Sequence, residues 1–274
     1  MNLFNIRAVK ILDQHPRQRD YKLHTHTGFE IFCFLAGDAM YNIEGNMYPL
    51  FPGDIVLLKN SEAHHVILNS AIPYERITIH FQCNDDMPPE LVETLLTPVI
   101  NRPIGQYNLY SYKDFQDTNW RHYLECLCKE SDHIRRQIYL MTLLLEITDA
   151  FPLIQDQHII NKTHSLLQIT HYIDQHLSDP LSIDFLCNHF FISETQLSRQ
   201  FKKHLNTTVS EYILSKRLLQ AYNTISKGVR PSSAYLQCGF RDYSSFYRAY
   251  KKKFGHSPKD HPTDSALLER IEFP

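Results

Sequence analysis

Apolar and polar positions along this chain follow two periods, and the change between them divides it. From Tyr21 to about Gln82 apolar residues recur at every second position, with turn residues at short intervals. The pattern predicts strands over 31–37, 39–43, 47–50, 55–58, 66–68 and 74–82, broken at Gly45-Asn46, Pro52-Gly53-Asp54 and Asn60-Ser61. Many short strands with tight turns make a small barrel or sandwich. After a polar break at 84–89 the period lengthens to that of a helix, over 89–96, 114–130 and 134–151, and Pro152 is expected to stop the last of these. The apolar band of 134–151 is wide enough either to meet a second subunit or to cover the barrel. Residues 152–162 are polar, lack periodicity and read as a linker.

The helical half that follows carries one device twice. Ser193–Leu205 superposes on Asp242–Phe254 at an offset of 49, which sets Arg199 on Arg248, Phe201 on Tyr250 and Lys202-Lys203 on Lys251-Lys252. Apolar residues four apart in each copy (Leu197, Phe201, Leu205; Phe246, Tyr250, Phe254) form a core-facing helical stripe. Ser193 and Asp242 are capping residues, and Gln196 completes a capping box. Before each copy stand a shorter helix and a turn: 182–189 with Phe190-Phe191-Ile192, and 232–238 with Gly239-Phe240-Arg241. Short helix, turn and capped helix make a helix-turn-helix. A scaffold helix over 169–177 precedes the pair. A connecting helix over 210–226, about 26 Å long, suits two reading helices one turn of B-DNA apart (about 34 Å).

Charge divides at the same place. Residues 162–262 hold 14 Lys+Arg against 7 Asp+Glu, residues 1–161 hold 13 against 20, and residues 263–274 hold 1 against 3. A basic half beside an acidic one suggests that one part meets a polyanion. With Leu197 and Phe201 turned inward, Glu194, Thr195, Ser198, Arg199, Lys202 and Lys203 lie on the open side of the first reading helix, and Tyr243, Ser244, Tyr247, Arg248, Lys251 and Lys252 on that of the second. Arg199 and Arg248 suit base edges, most simply guanine O6/N7, and the lysines suit phosphates. The plainer alternative for the lysines is a solvated helix end favoured by the helix dipole. The six cysteines are scattered, and Cys126-x-Cys128 lacks a second ligand pair, so reduced thiols in a cytosol are expected. No window approaches 18 uncharged apolar residues, and the expectation is a soluble, cytoplasmic protein without a membrane partner.

One constellation in the strand-rich half carries candidate chemistry. His24, His26 and Glu30 have even numbers, so on a single strand they project from one face. The run His24-x-His26-x3-Glu30-x6-Gly37 resembles the first cupin motif, and Gly53-x5-Lys59-x-Ser61-x2-His64 has the spacing of the second, with Lys59 and Ser61 where cupins usually carry Pro and Gly. Three imidazoles and a carboxylate suit a divalent transition metal. The alternative is a pocket lining that hydrogen-bonds internally and holds no metal. Arg76, Thr78 and His80 alternate on the last strand, facing either this cavity or solvent.

The second half resembles the AraC/XylS family of bacterial transcription regulators. The likeness rests on Phe201-Lys202-Lys203, Arg217-Leu218-x2-Ala221 and the run from Cys238-Gly239-Phe240 through Ser245-Phe246-x-Arg248 to Phe254-Gly255-x2-Pro258. Departures are Asn206 where the family commonly has Gly, Tyr235-Leu236 for Ile-Ala, and His261 for Tyr. The resemblance implies an α+β chain of two domains: a cupin-like, effector-sensing β-barrel (1–100) with a helical dimerisation or cover segment (101–151), the linker (152–162), an all-α double helix-turn-helix domain (163–262) and a tail (263–274). It implies a homodimeric activator that binds double-stranded DNA and acts with RNA polymerase. The effector would be a small molecule, such as a sugar, in a pocket drawn from His24, His26, Glu30, His64, Arg76 and His80. No cofactor is required by that reading, and a divalent metal on His24, His26, Glu30 and His64 is the one candidate. Two alternatives stand beside it, a metal-dependent cupin enzyme fused to a DNA-targeting module and a DNA-binding dimer that takes no ligand.

Overall fold

The computed structural model describes residues 2–84, 86–115, 118–157, 165–261 and 270–272. Contacts group the chain into two compact units, residues 1–22 with 28–162, and residues 163–274 with the short segment 23–27.

The first unit is built on an antiparallel sheet of order β1-β8-β3-β6-β9, namely Phe4–Asp13, Tyr74–Cys83, Phe29–Ala36, Ile55–Leu58 and Leu109–Tyr110. Facing it, β4 (Ala39–Ile43) pairs with both β5 (Asn46–Pro49) and β7 (His64–Leu68). The alternation in β3 sorts its side chains cleanly. Ile31 and Cys33, with Ile55, Leu57, Ile77, Ile79 and Phe81, bury one face against helices α1 (Pro89–Ile100), α2 (Trp120–Lys129) and α3 (His133–Gln157). Phe32 and Phe34 turn the other way, into a cluster with Tyr41, Ile43, Val56, Leu58, Val66 and Tyr74 that fills the barrel. Glu30 stands opposite His80, Phe32 opposite Thr78, and Phe34 opposite Arg76. Arg76, Thr78 and His80 therefore face the interior, which the alternation alone left open.

Three expectations need correction. His24 and His26 lie on β2 (His24–His26), whereas Glu30 begins a separate strand after Thr27-Gly28, so no single strand carries all three. The ten-residue β1 went unpredicted because Arg7 and Lys10 interrupt its apolar pattern; it is stapled by pairing with β8 along its whole length. Pro152 does not stop α3, which runs on to Gln157. Phe151 and Ile154 are both buried, and that burial offsets the hydrogen bond the proline removes. Part of the expected linker is thus helix, and residues 158–162 lie outside the described residues. Within α3, His133–Ile154 is long and apolar enough to cross a bilayer by composition, yet its Leu140, Leu143, Leu144 and Ile147 are completely buried in the unit's own core.

A buried ion pair pins the turn between β6 and β7. Arg102 donates to both carboxylate oxygens of Glu62, at 2.7 Å through Nη2, and both side chains are fully buried. The amides of Gly105 and Lys59 and the Asn108 side chain also donate to that carboxylate. Burial alone would raise the Glu62 carboxyl, but the guanidinium and these donors outweigh it and hold it below the usual range.

The second unit is helical. α4 (Ser165–Gln175) precedes α5 (Ile183–Phe190) and α6 (Glu194–Leu205); α7 (Val209–Ser226) then leads to α8 (Pro231–Gln237) and α9 (Tyr243–Phe254). Its strand β10 (Arg270–Glu272) pairs antiparallel with β2. α7 is the axle: Tyr212 near its start meets Phe201 of α6 at 5.4 Å, and Tyr222 meets Phe254 of α9 at 4.9 Å. Those two anchor points are about 15 Å apart along the helix.

Candidate nucleic-acid interface and barrel site

Each reading helix is fixed from its own sequence. Ser193 caps α6 with a complete capping box, and the Asp242 side chain accepts from the Ser245 amide to start α9. Leu197, Phe201 and Leu205 in α6, and Phe246 and Tyr250 in α9, are completely buried, each contributing about 1.5–3 kcal/mol. That burial settles which face remains. Glu194, Thr195, Ser198, Arg199, Lys202 and Lys203 are all exposed, as are Ser244, Arg248, Lys251 and Lys252. Tyr243 and Tyr247 are half-buried; the Tyr243 ring packs on Tyr235 and Phe246 at 5.6 and 5.7 Å, so it is partly spent on the core. Asn206 takes the left-handed conformation (φ 52) at the end of α6, where Asn substitutes for Gly at small cost.

The two units do not repeat at one offset throughout. The caps of the reading helices, Ser193 and Asp242, are 49 apart, but the caps of the first helices, Ser182 and Arg230, are 48 apart. Phe191 and Gly239, both left-handed, also match at 48, and Ile192 and Phe240 each donate back across the helix end, to the Cys187 and Tyr235 carbonyls. The second turn therefore holds one extra residue, and the offset of 49 holds for the reading helices, as the sequence indicated. Arg217 of α7 was also missed as a structural link. Its Nε donates to the Leu177 carbonyl at 2.8 Å and its Nη2 to the Asp179 carbonyl at 2.7 Å, tying the joining helix to the end of the scaffold helix. Nothing in local spacing announces a contact 40 residues away.

In the barrel, the Glu30 carboxylate lies 3.3 Å from His64 Nε2 and 3.6 Å from His80 Nε2. The His24 and His26 rings meet edge to face at 4.9 Å. Of the four predicted residues, Glu30 and His64 belong to the first unit, and His24 and His26 to the short segment grouped with the second. His64 Nδ1 sits 2.8 Å from the Glu62 carbonyl. Arg76 is set apart from this group: its guanidinium lies over the rings of Tyr74 at 5.0 Å and Tyr21 at 5.3 Å. Tyr21 in turn donates to Asp13 at 2.8 Å, and burial first, then this carboxylate, pushes its phenol up to about 12.

A β-barrel and paired helix-turn-helix units are the parts of a DNA-binding regulator with a sensing domain, a role that the family carries and the fold alone does not. Residues 8–147 match the AraC-like ligand binding domain and residues 186–261 a helix-turn-helix domain. The chain belongs to the AraC family of transcriptional regulators. It is 35% identical over 95 residues to a protein named as the probable transcriptional regulator LumQ of Photobacterium leiognathi, covering 34% of this chain and 38% of that one, so the match spans well under half of the relative. It is 26% identical over 196 residues to the transcriptional regulatory protein HptR of Staphylococcus aureus, covering 64% of this chain and 75% of the relative. Among solved structures, ToxT of Vibrio cholerae, in complex with a naphthalenyl butenoic acid, is similar over 94% of this chain and 97% of that one, with 13% identity and a TM-score of 0.41. Both named relatives are transcriptional regulators, as the matched families lead one to expect.

Proposed function

We propose that this regulator reads two successive major grooves of double-stranded DNA with α6 and α9, as a dimer and an activator, under control of a small molecule held in its barrel. The observation that carries the reading is the pair of equivalent helices, each with an apolar side buried and an arginine exposed at the matching place, Arg199 and Arg248. Arginines so placed address guanine edges, and Lys202, Lys203, Lys251 and Lys252 address phosphates. Footprinting the full chain on fragments of its own genome tests this. Protection of two major-groove segments about 10 base pairs apart is expected; protection of a single segment, or binding indifferent to sequence, overturns it.

The barrel supports a polar, ring-shaped effector such as a sugar. Phe32, Phe34, Tyr41 and Tyr74 bring aromatic rings to the barrel interior, to which Glu30, His64, His80 and Arg76 add polar groups, and that mixture suits stacking on a sugar face while pairing its hydroxyls. A thermal-shift panel of sugars and other small metabolites checks it, since a ligand at 100 times its dissociation constant adds about 2.7 kcal/mol. A panel without any shift favours the ligand-independent alternative. Dimerisation is supported by the outer face of α3, where Ile134, Ile138 and Leu145 are exposed and Met141 half-exposed at alternating spacings of four and three, the spacing of a coiled-coil seam. Ile138→Glu with Leu145→Glu should make the protein monomeric in sedimentation. Activation through RNA polymerase, and residence in the cytoplasm, follow as the setting in which such a regulator works.

A further inference from the structure

We infer that the groove between the two helix-turn-helix units seats the phosphate backbone of the DNA strand running from one reading helix to the other, with Arg241 as the side chain that grips it. The groove measures about 730 Å³, and α7 runs along it. Ser210, Leu214 and Arg217 line it from that helix at spacings of four and three, so they share one helical face. The first helix-turn-helix contributes Ser182, the cap of α5, and the second contributes Arg241 and Ser245 at the start of α9. The positive charge gathered here is not neutralised. Arg217 donates to two backbone carbonyls, which leave its charge intact, and Arg241 is exposed. Two carboxylates also line the groove, but both are engaged elsewhere: Asp179 lies 2.8 Å from His176 Nδ1, and Asp242 accepts from the Ser245 amide at 2.8 Å. Among the described residues neither arginine is ion-paired.

Like charges sharing one groove repel, and an anion seated between them removes that cost. The two guanidinium groups are within electrostatic reach, since burial first, then the charge of Arg241, holds Arg217 below its usual value. Continuity with the reading face favours a DNA strand over a small anion. Arg241 and Ser245 sit at the end of α9 from which the exposed Ser244 and Arg248 project, so a duplex read by α9 passes the mouth of the groove. Leu214 and Leu236, both exposed, edge it and suit the apolar faces of deoxyriboses. Ser182, Ser210 and Ser245 bring exposed hydroxyls, a common partner of phosphate oxygens. Such contacts fix register and carry no sequence information. Arg217 is tied to the scaffold end of the first helix-turn-helix and Arg241 belongs to the second, so a phosphate between them sets the spacing of the two reading helices. The inference rests on the two-groove reading and adds to it a residue outside both sets of predicted contacts.

The test is the salt dependence of DNA binding by the full chain. Arg241→Ala should weaken binding several-fold on every duplex and lower the slope of log affinity against log salt by about 1, whereas Arg241→Lys should keep the slope. Phosphate-ethylation interference on the footprinted site should lose its sensitive phosphates between the two protected segments in the alanine variant. An added base pair between those segments should penalise the wild-type chain more than Arg241→Ala; equal penalties overturn the spacing role. Arg241 is exposed, so both variants should melt with the wild type. The slope is also measured on random-sequence duplex, where no operator is needed. A footprint of a single segment would therefore sink the two-groove reading, while the slope still decides whether Arg241 meets a phosphate. An unchanged slope makes the inference wrong, and so does a loss confined to one base position, which would make Arg241 a reader of bases. If inorganic phosphate raises the melting temperature of the wild type and not of Arg241→Ala, with the DNA slope unchanged, the groove takes a small anion instead and the inference falls.

Discussion

The chain leaves α5 through Phe191 and leaves α8 through Gly239, and both residues take the left-handed conformation, at φ 53 and φ 78. The surroundings could hardly differ more. Phe191 is 94% exposed, so a bulky residue survives there at the intrinsic cost of about 1–2 kcal/mol. A Cβ on Gly239 would lie 2.2 Å from the Leu177 carbonyl oxygen and 2.9 Å from Arg217 Nε. Leu177 ends the scaffold of the first unit, and Arg217 is already bonded to that same oxygen. The first turn is thus a local matter, while the second is pressed against the scaffold of its neighbour. The joint between the two reading heads lies at Gly239, and the extra residue after it carries the chain from this contact to the start of α9.

Substitutions at the two matching positions should therefore diverge most. Gly239→Ala should destabilise the second unit by on the order of 3 kcal/mol, because backbone must move and φ is unfavourable as well. Phe191→Gly should be neutral or stabilise by about 1 kcal/mol, the relief of left-handed strain set against a looser unfolded chain. Urea unfolding of the full-length protein measures both. Similar effects at the two sites would erase the distinction between a free turn and a clamped one.

On the DNA side the comparison turns on α6 and α9. Arg199→Ala and Arg248→Ala should each cost about 1–3 kcal/mol on the specific site and relax the preference at one base position, each at a different half of the site. Binding titrations on singly substituted operators read this directly. Glu194 opens α6 on its exposed side, and α9 has no acidic residue in its first turn, so the two halves should tolerate different bases. If both arginine variants lose affinity evenly across all sequences, neither touches a base edge.

Much of this was legible beforehand, for physical reasons that also mark the limit. Apolar residues four apart, caps and a lysine-bearing last turn are local signals, and α6 and α9 begin and end within a residue of where those signals put them. Period-two runs placed β4 and β6 to the residue. Long-range contacts left no such trace. The Glu62–Arg102 pair, the Arg217 link and the clash that requires glycine at 239 depend on residues brought close only by folding. The histidine cluster stood between these cases: its members were visible from spacing, but the single-strand account of them was wrong, because Gly28 breaks the run into β2 and β3.

A smaller difference lies in the cores beneath the reading helices. Tyr212 packs on Phe201 in the first unit, and 49 residues later His261 takes the matching place on Tyr250, whose hydroxyl lies 2.7 Å from its Nδ1. Burial first, then nearby His256, pushes His261 down to about 4. A histidine kept neutral by the fold stabilises fully above its unfolded value of about 6.5, and that contribution is lost as pH falls toward 4. The second unit should thus melt at progressively lower temperature between pH 6.5 and 4, with the first unit less affected. In His261→Tyr, which copies the first unit, the dependence over that window should flatten. A slope unchanged by the substitution would show that His261 is not the group responsible.

The least effect is expected from single lysines at the helix ends. α9 closes with Lys251, Lys252 and Lys253, and α6 with Lys202, Lys203 and His204. Each lysine that meets a phosphate releases about one counterion, so Lys252→Ala should weaken binding to every sequence alike and lower the slope of log affinity against log salt by about 1. Lys203→Ala makes the parallel measurement on the first unit. Equal drops mean both helix ends press on the backbone. A drop for Lys252 with none for Lys203 means that the lysine on α6 merely faces solvent and the helix dipole, and that the second unit carries the larger share of the electrostatic grip.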